Sequence, residues 1–295
     1  MRITGKTITL FFTIIAGCFI IGLAAVPVAT NGPLATIVAI TALTASVSFL
    51  CGLFTDDYSW TDRLWSTSPV VYGWIYAYAS NFTFEVTLAA VLVTLWGIRL
   101  TFNFARRGGY TGGEDYRWPI LRKKIGHPLY WHIFNLLFIA VYQQFLFICF
   151  TLPLNFIGGN IGPWTILGIV LAMGFLFVET LADQQQYTFQ QAKYGLLEKC
   201  GELDEDYDRG FRTTGLFAHS RHPNYLGELG FWWSIYLFTT STMGTVFHWS
   251  MVGPLLLTLL FVGSTIFTEG ITASKYPSYE DYKKSVWPIF PKLWR

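Results

Sequence analysis

Stretch after stretch of this chain runs for about 20 residues with almost no charge, the length of helix that spans the apolar core of a bilayer. "TITLFFTIIAGCFIIGLAAVPVA" and "LATIVAITALTASVSFLCGLF" hold no Asp, Glu, Lys or Arg at all. Without water, each backbone N–H and C=O bonds inside its own segment, which restricts such runs to helices. Only 13% of the 295 residues are charged, 18% are aromatic, and mean hydropathy is +0.41, too few polar groups to clothe a soluble domain of this size. The reading is all-α: one integral membrane domain over 1–295.

Apolar length and turn signals predict seven spans, near 7–29, 34–54, 83–104, 131–152, 163–182, 224–243 and 250–271. The first follows Arg2 and Lys6 like a signal peptide, but its length and the spans after it make it a transmembrane helix. With seven spans, the basic loops 105–130 and 183–223 and the tail from 272 fall on one face, leaving Arg2, Lys6 and Arg63 opposite. The positive-inside rule then puts the basic face and the C-terminus in the cytoplasm, of a bacterial inner membrane or an endoplasmic reticulum. Cys18, Cys51, Cys149 and Cys200 have no Cys-x-x-Cys spacing, so no metal site or disulfide framework is indicated.

Ionisable groups in or beside spans are costly and therefore candidates for function. Glu179 and Asp183, four apart, share a helix face beside the amide-rich strip Gln184, Gln186, Gln190 and Gln191. "GGYTGGEDYRW", 108–118, offers close backbone approach, Asp115 for a ribose hydroxyl or to orient an arginine, and Arg117 for a phosphate. In "SRHPNYLGELGFWW", 220–233, Pro223 suits a first helical turn; Asn224 and Glu228 share a face, with Tyr225 beside them and Gly227 permitting close packing. Arg221 and His222 precede that helix start, where an anion is favoured. Interfacial snorkelling accounts for Arg221, His222 and Tyr225, but not for Glu228 inside the apolar helix.

"TGLFAHSRHPNYLGELGFWW" and "KYPSYEDYKKSVWPIFPKLW" resemble the C-terminal region of the steroid 5α-reductase superfamily, in particular its DUF1295 branch, over roughly 90–295. Sterol C14 and Δ7 reductases carry a similar run. The resemblance implies a seven-helix membrane reductase with a cytoplasm-facing cavity for NADPH, acting on an activated C=C bond of a lipid. By position it implies cofactor contacts for Asp115, Arg117, Asp183, Arg212 (after Phe211), Asn224, Tyr225 and Glu228, with Arg221, His222 and Lys275 beside them. The Gln-Glu pair by which steroid reductases hold a steroid carbonyl is missing from 34–54, and Glu269 precedes Lys275 where the family has basic and histidine residues.

Hydride transfer to an enone-like acceptor needs an acid for the developing enolate. Besides Glu228 and Tyr225, candidates are Asp57, Asp62, Tyr72, Tyr76 and Glu85, with Asp62 and Glu85 foremost. The expected partners are a hydrophobic lipid-like substrate and membrane lipids, not nucleic acid. Two other classes share parts of the pattern: S-adenosylmethionine-dependent membrane methyltransferases, which carry an Arg-His-Pro-x-Tyr-x-Gly run, and non-catalytic lipid-binding relatives.

Overall fold

The computed structural model describes residues 32–159 and 161–292. The run at 7–29, with Arg2, Lys6 and Cys18, lies outside the described residues. The described chain is helical: α1 Pro33–Thr55, α2 Ser68–Ala79, α3 Phe84–Arg106, α4 Pro128–Phe156, α5 Pro163–Lys193, α6 Pro223–Met243, α7 Val252–Lys275 and α8 Tyr279–Ser285, with short helical turns between. Prolines sit at several of these starts, where a missing N–H costs nothing.

Among the described residues five helices are long and apolar enough to cross a membrane: α1, α3, α4, α5 and α7 with its leading turn, Trp249–Lys275. They make an integral membrane protein the natural reading. The predicted span at 224–243 is present as α6 but is not among the five. Its Asn224, Glu228 and threonines lower its hydropathy, and it is buried along most of its length, where such residues are tolerated.

The chain divides into two compact units, one reaching to Thr165 and including Tyr236–Gly253, the other comprising Ile166–Ile235 and Pro254–Arg295. In the first unit α2 and α3 form an antiparallel hairpin. Ser66 Oγ bonds Thr101 Oγ1 at 2.7 Å and Trp74 Nε1 donates to Thr94 at 3.0 Å, while the turn uses left-handed backbone at Asn81 and Phe82. At 12 residues α2 is about 18 Å long.

This return helix corrects the predicted topology. The loop after α1 lies at the same end as the loop after α3, because Arg63 Nε donates to Gly109 O at 3.0 Å and the Asp115 N–H donates to Ser59 Oγ at 2.8 Å. Arg63 therefore joins the basic loop 105–130 rather than facing it across the membrane.

Candidate functional site

In the first unit the two loops build a polar cluster. Trp118 Nε1 donates to Asp62 at 2.7 Å, and Arg117 grips Asp115 at 2.7 and 3.1 Å while lying 3.9 Å from Asp62. Asp115 thus orients the arginine. Asp57 pairs with Arg63, and Glu114 accepts from the Tyr58 N–H and faces Arg122 at 3.6 Å. Glu85 is buried in the first turn of α3, about 30 Å along the helix from these loops, so the structure does not bring it to Asp62.

Burial, only partly offset by Arg117, lifts the Asp62 carboxyl from 3.8 to about 6. Folding therefore favours the protonated acid: this contribution is full below about pH 4 and is lost as pH rises through about 6. Asp62→Asn is expected to flatten stability across that window, read from unfolding midpoints between pH 4 and 7, whereas a wild-type slope in the variant assigns the effect elsewhere.

In the second unit, α5 and the start of α6 cross in direct contact. A Cβ at Gly227 would lie 2.9 Å from both Glu179 Cα and Phe175 O, so only glycine permits this approach. One turn on, Gly230 faces the Phe175 ring. This antiparallel register sets Asn224 level with Asp183. Three carboxylates, Glu179, Asp183 and Glu228, are buried here, and Glu228 accepts from Trp232 Nε1 at 3.1 Å, one turn along α6. Arg212 docks on the amide-rich strip, Nη1 donating to Gln185 O at 2.7 Å, and burial lowers its pKa.

Arg221 turns inward. Its Nε and Nη2 donate to Glu269 at 2.6 and 2.9 Å, and Nη1 donates to the carbonyls of Lys283 and Val286. Four of its five donors are engaged inside the protein, which makes it a tether for the tail rather than a waiting phosphate ligand. His222 Nε2 lies 3.0 Å from the same carboxylate, and its ring stacks on Tyr225 at 4.8 Å. Lys275 is exposed beside the Tyr276 ring. Glu269 is the residue that sequence reasoning registered as a departure without assigning it a role; a lone carboxylate in an apolar span was the signal.

Thus Asp183, Arg212, Arg221, His222, Asn224, Tyr225, Glu228 and Lys275 belong to one unit, and Asp62, Glu85, Asp115 and Arg117 to the other. A cleft of about 660 Å³ in the second unit is lined by Arg209, Phe211, Thr213, Tyr282, Ser285 and Lys292 among others, and not by Asn224, Tyr225 or Glu228. Among the described residues no group of His, Cys, Asp and Glu forms a metal site.

Comparison with known proteins gives two matches. The family model described as "Protein of unknown function (DUF1295)" matches residues 48–286. An uncharacterized protein of Schizosaccharomyces pombe, C594.04c, is 35% identical over 265 residues, covering 82% of this chain and 74% of that protein. No solved structure matches.

Proposed function

As the chain belongs to the DUF1295 family, whose function is unknown, we propose from its own site that it is a membrane oxidoreductase reducing an activated C=C bond of a lipid with hydride from NADPH. The observation that carries this reading is the crossing at Gly227, whose register sets Asn224 level with Asp183, with Glu228 buried one turn further along α6. Amide and carboxylate groups at one helix crossing suit the carboxamide and ribose hydroxyls of a nicotinamide nucleotide. Asn224 and Glu228 would hold the carboxamide, Asp183 a hydroxyl, and Arg212 and Lys275 the phosphates. Arg221 and His222, tied to Glu269, position the start of α6. When bound, the reduced nicotinamide supplies the hydride. Among the acid candidates, Glu228 and Tyr225 lie in the same unit as these residues.

One observation favours a second reading. Glu179, Asp183 and Glu228 are three buried carboxylates in this unit, and carboxylates also suit a cationic ligand, as the sulfonium of S-adenosylmethionine would be.

Both readings are tested by thermal unfolding of detergent-purified protein with NADPH, NADH or S-adenosylmethionine, since whichever ligand binds the folded state raises its midpoint. NADPH is expected to stabilise, with the shift reduced by Asn224→Ala and Glu228→Gln through an affinity loss of about tenfold each, the weight of one hydrogen bond to a charged group. Stabilisation by S-adenosylmethionine alone would replace the reductase reading with the methyltransferase one.

A further inference from the structure

Helix α1 carries a polar stripe, Thr41, Thr44, Ser48 and Gly52, spaced so that all four share one face. Its upper part is closed by bonds: Thr41 Oγ1 meets Tyr72 of α2 at 2.7 Å, and Thr44 Oγ1 meets the Gln144 side chain of α4 at 3.1 Å. Thr41, Thr44, Ser46 and Thr55 each return a hydrogen bond to the carbonyl four residues back, the ordinary resting place for a hydroxyl in a membrane helix. Ser48 does not. Its Oγ is buried and has no hydrogen-bond partner among the described residues.

Two facing groups are in the same condition. Gln144 is fully buried, and whichever way its amide is turned one end meets Thr44 and the other meets no partner among the described residues. Asn135, 2% exposed, has its amide nitrogen unpartnered, 3.4 Å from where a Cβ on Gly52 would stand. Thr44 opposite Gln144 and Gly52 opposite Asn135 define an antiparallel lane, with Ser48 between them on α1. Most of the wall of α4 along that lane is not α-helical: Asn135–Tyr142 is π-helix, a widened turn that recurs at functional sites, and Gln144 stands at the start of the α-helical part that follows.

A buried donor without a partner costs at least as much as a lost hydrogen bond, and three on facing helices of one apolar bundle are a concentrated cost. We propose that this lane is a binding site for a neutral, oxygen-bearing, membrane-soluble molecule whose carbonyl or hydroxyl oxygen accepts from the Gln144 and Asn135 amides and the Ser48 hydroxyl. The π-helical turn is the part of the wall that yields to admit it. The Ser48 hydroxyl and the Asn135 amide nitrogen are donors, as is the Gln144 nitrogen while its oxygen accepts from Thr44, so the ligand presents an acceptor. None of the three groups bonds a Lys, Arg or His, so a carboxylate or phosphate would be an uncompensated charge in an apolar interior.

The test uses the full chain in maltoside micelles without nucleotide, so its outcome is separate from that of the reductase reading. Octadecan-2-one, octadecane and stearate are titrated against the unfolding midpoint, and the ¹³C resonance of carbonyl-labelled octadecan-2-one is followed. The ketone is expected to raise the midpoint saturably and shift its carbonyl resonance, while the alkane and the acid do neither. Gln144→Leu and Asn135→Leu are expected to weaken ketone binding about tenfold or more while leaving the unliganded midpoint unchanged or higher, because they remove buried unsatisfied amides. Ser48→Ala, the mildest change, should weaken it less. A ketone without effect, an alkane that matches it, or leucine variants that bind the ketone as wild type does would each overturn the site.

Discussion

Arg221→Met is expected to destabilise the protein by about 3–5 kcal/mol, the cost of leaving one member of a buried ion pair without the other. Glu269, 5% exposed, would keep only His222 as its neighbour from the motif. The variant also loses the bonds from Arg221 to the carbonyls of Lys283 and Val286, which hold α8 and the chain after it. Its Tyr282, with a hydroxyl bonded to Phe217 O, would be left as a weaker anchor for that segment. Two readouts follow: a lower unfolding midpoint, and faster proteolysis after Lys283 and Lys284. The double variant Arg221→Met/Glu269→Leu should recover most of the loss, since it removes the stranded charge. A single variant as stable as wild type would show that Arg221 is free for ligand after all.

Gly227→Ala is the second large effect. The added methyl meets the Glu179 backbone and the Phe175 carbonyl, neither of which can swing aside, so α5 and α6 have to separate. Overpacking of that kind costs about 1–3 kcal/mol. The cost to ligand binding should be larger in proportion, because the register of the crossing is what sets Asn224 level with Asp183. Gly230→Ala meets only the Phe175 ring, a side chain that can turn, and should be milder. Gly263→Ala, in the interior of α7 with nothing within 4 Å of the new methyl, is the control and is expected to stabilise by about 0.5–1 kcal/mol. Equal losses at Gly227 and Gly263 would remove the crossing from the account.

Much of the fold was legible because apolar length is a strong signal. The expected spans at 83–104, 131–152 and 250–271 are found as Phe84–Arg106, Pro128–Phe156 and Val252–Lys275. Helix α2 escaped because 12 residues are too few for a span. With it went the correct side for Arg63. Residue types and helical spacing singled out Asp183, Asn224 and Glu228 as candidates and marked Gly227 as a place of close packing, but did not identify its neighbour on α5. The meeting of Asp62 with Arg117 joins two loops far apart in sequence, which no local pattern encodes. Arg221 looked like an anion ligand because a basic residue before a helix start usually faces outward. The carboxylate that draws it inward lies on α7, and sequence spacing is silent about that.

The measurement that bears most directly on the proposed activity follows the hydride itself. Purified protein is incubated with NADPH deuterated at the transferring position and a total membrane-lipid extract, and the products are read by mass spectrometry. The account predicts a lipid heavier by one deuteride and one proton, formed by wild type and lost in Glu228→Gln, with one NADPH oxidised for each product molecule. No deuterium in any lipid, together with methyl transfer when S-adenosylmethionine is supplied instead, would contradict it.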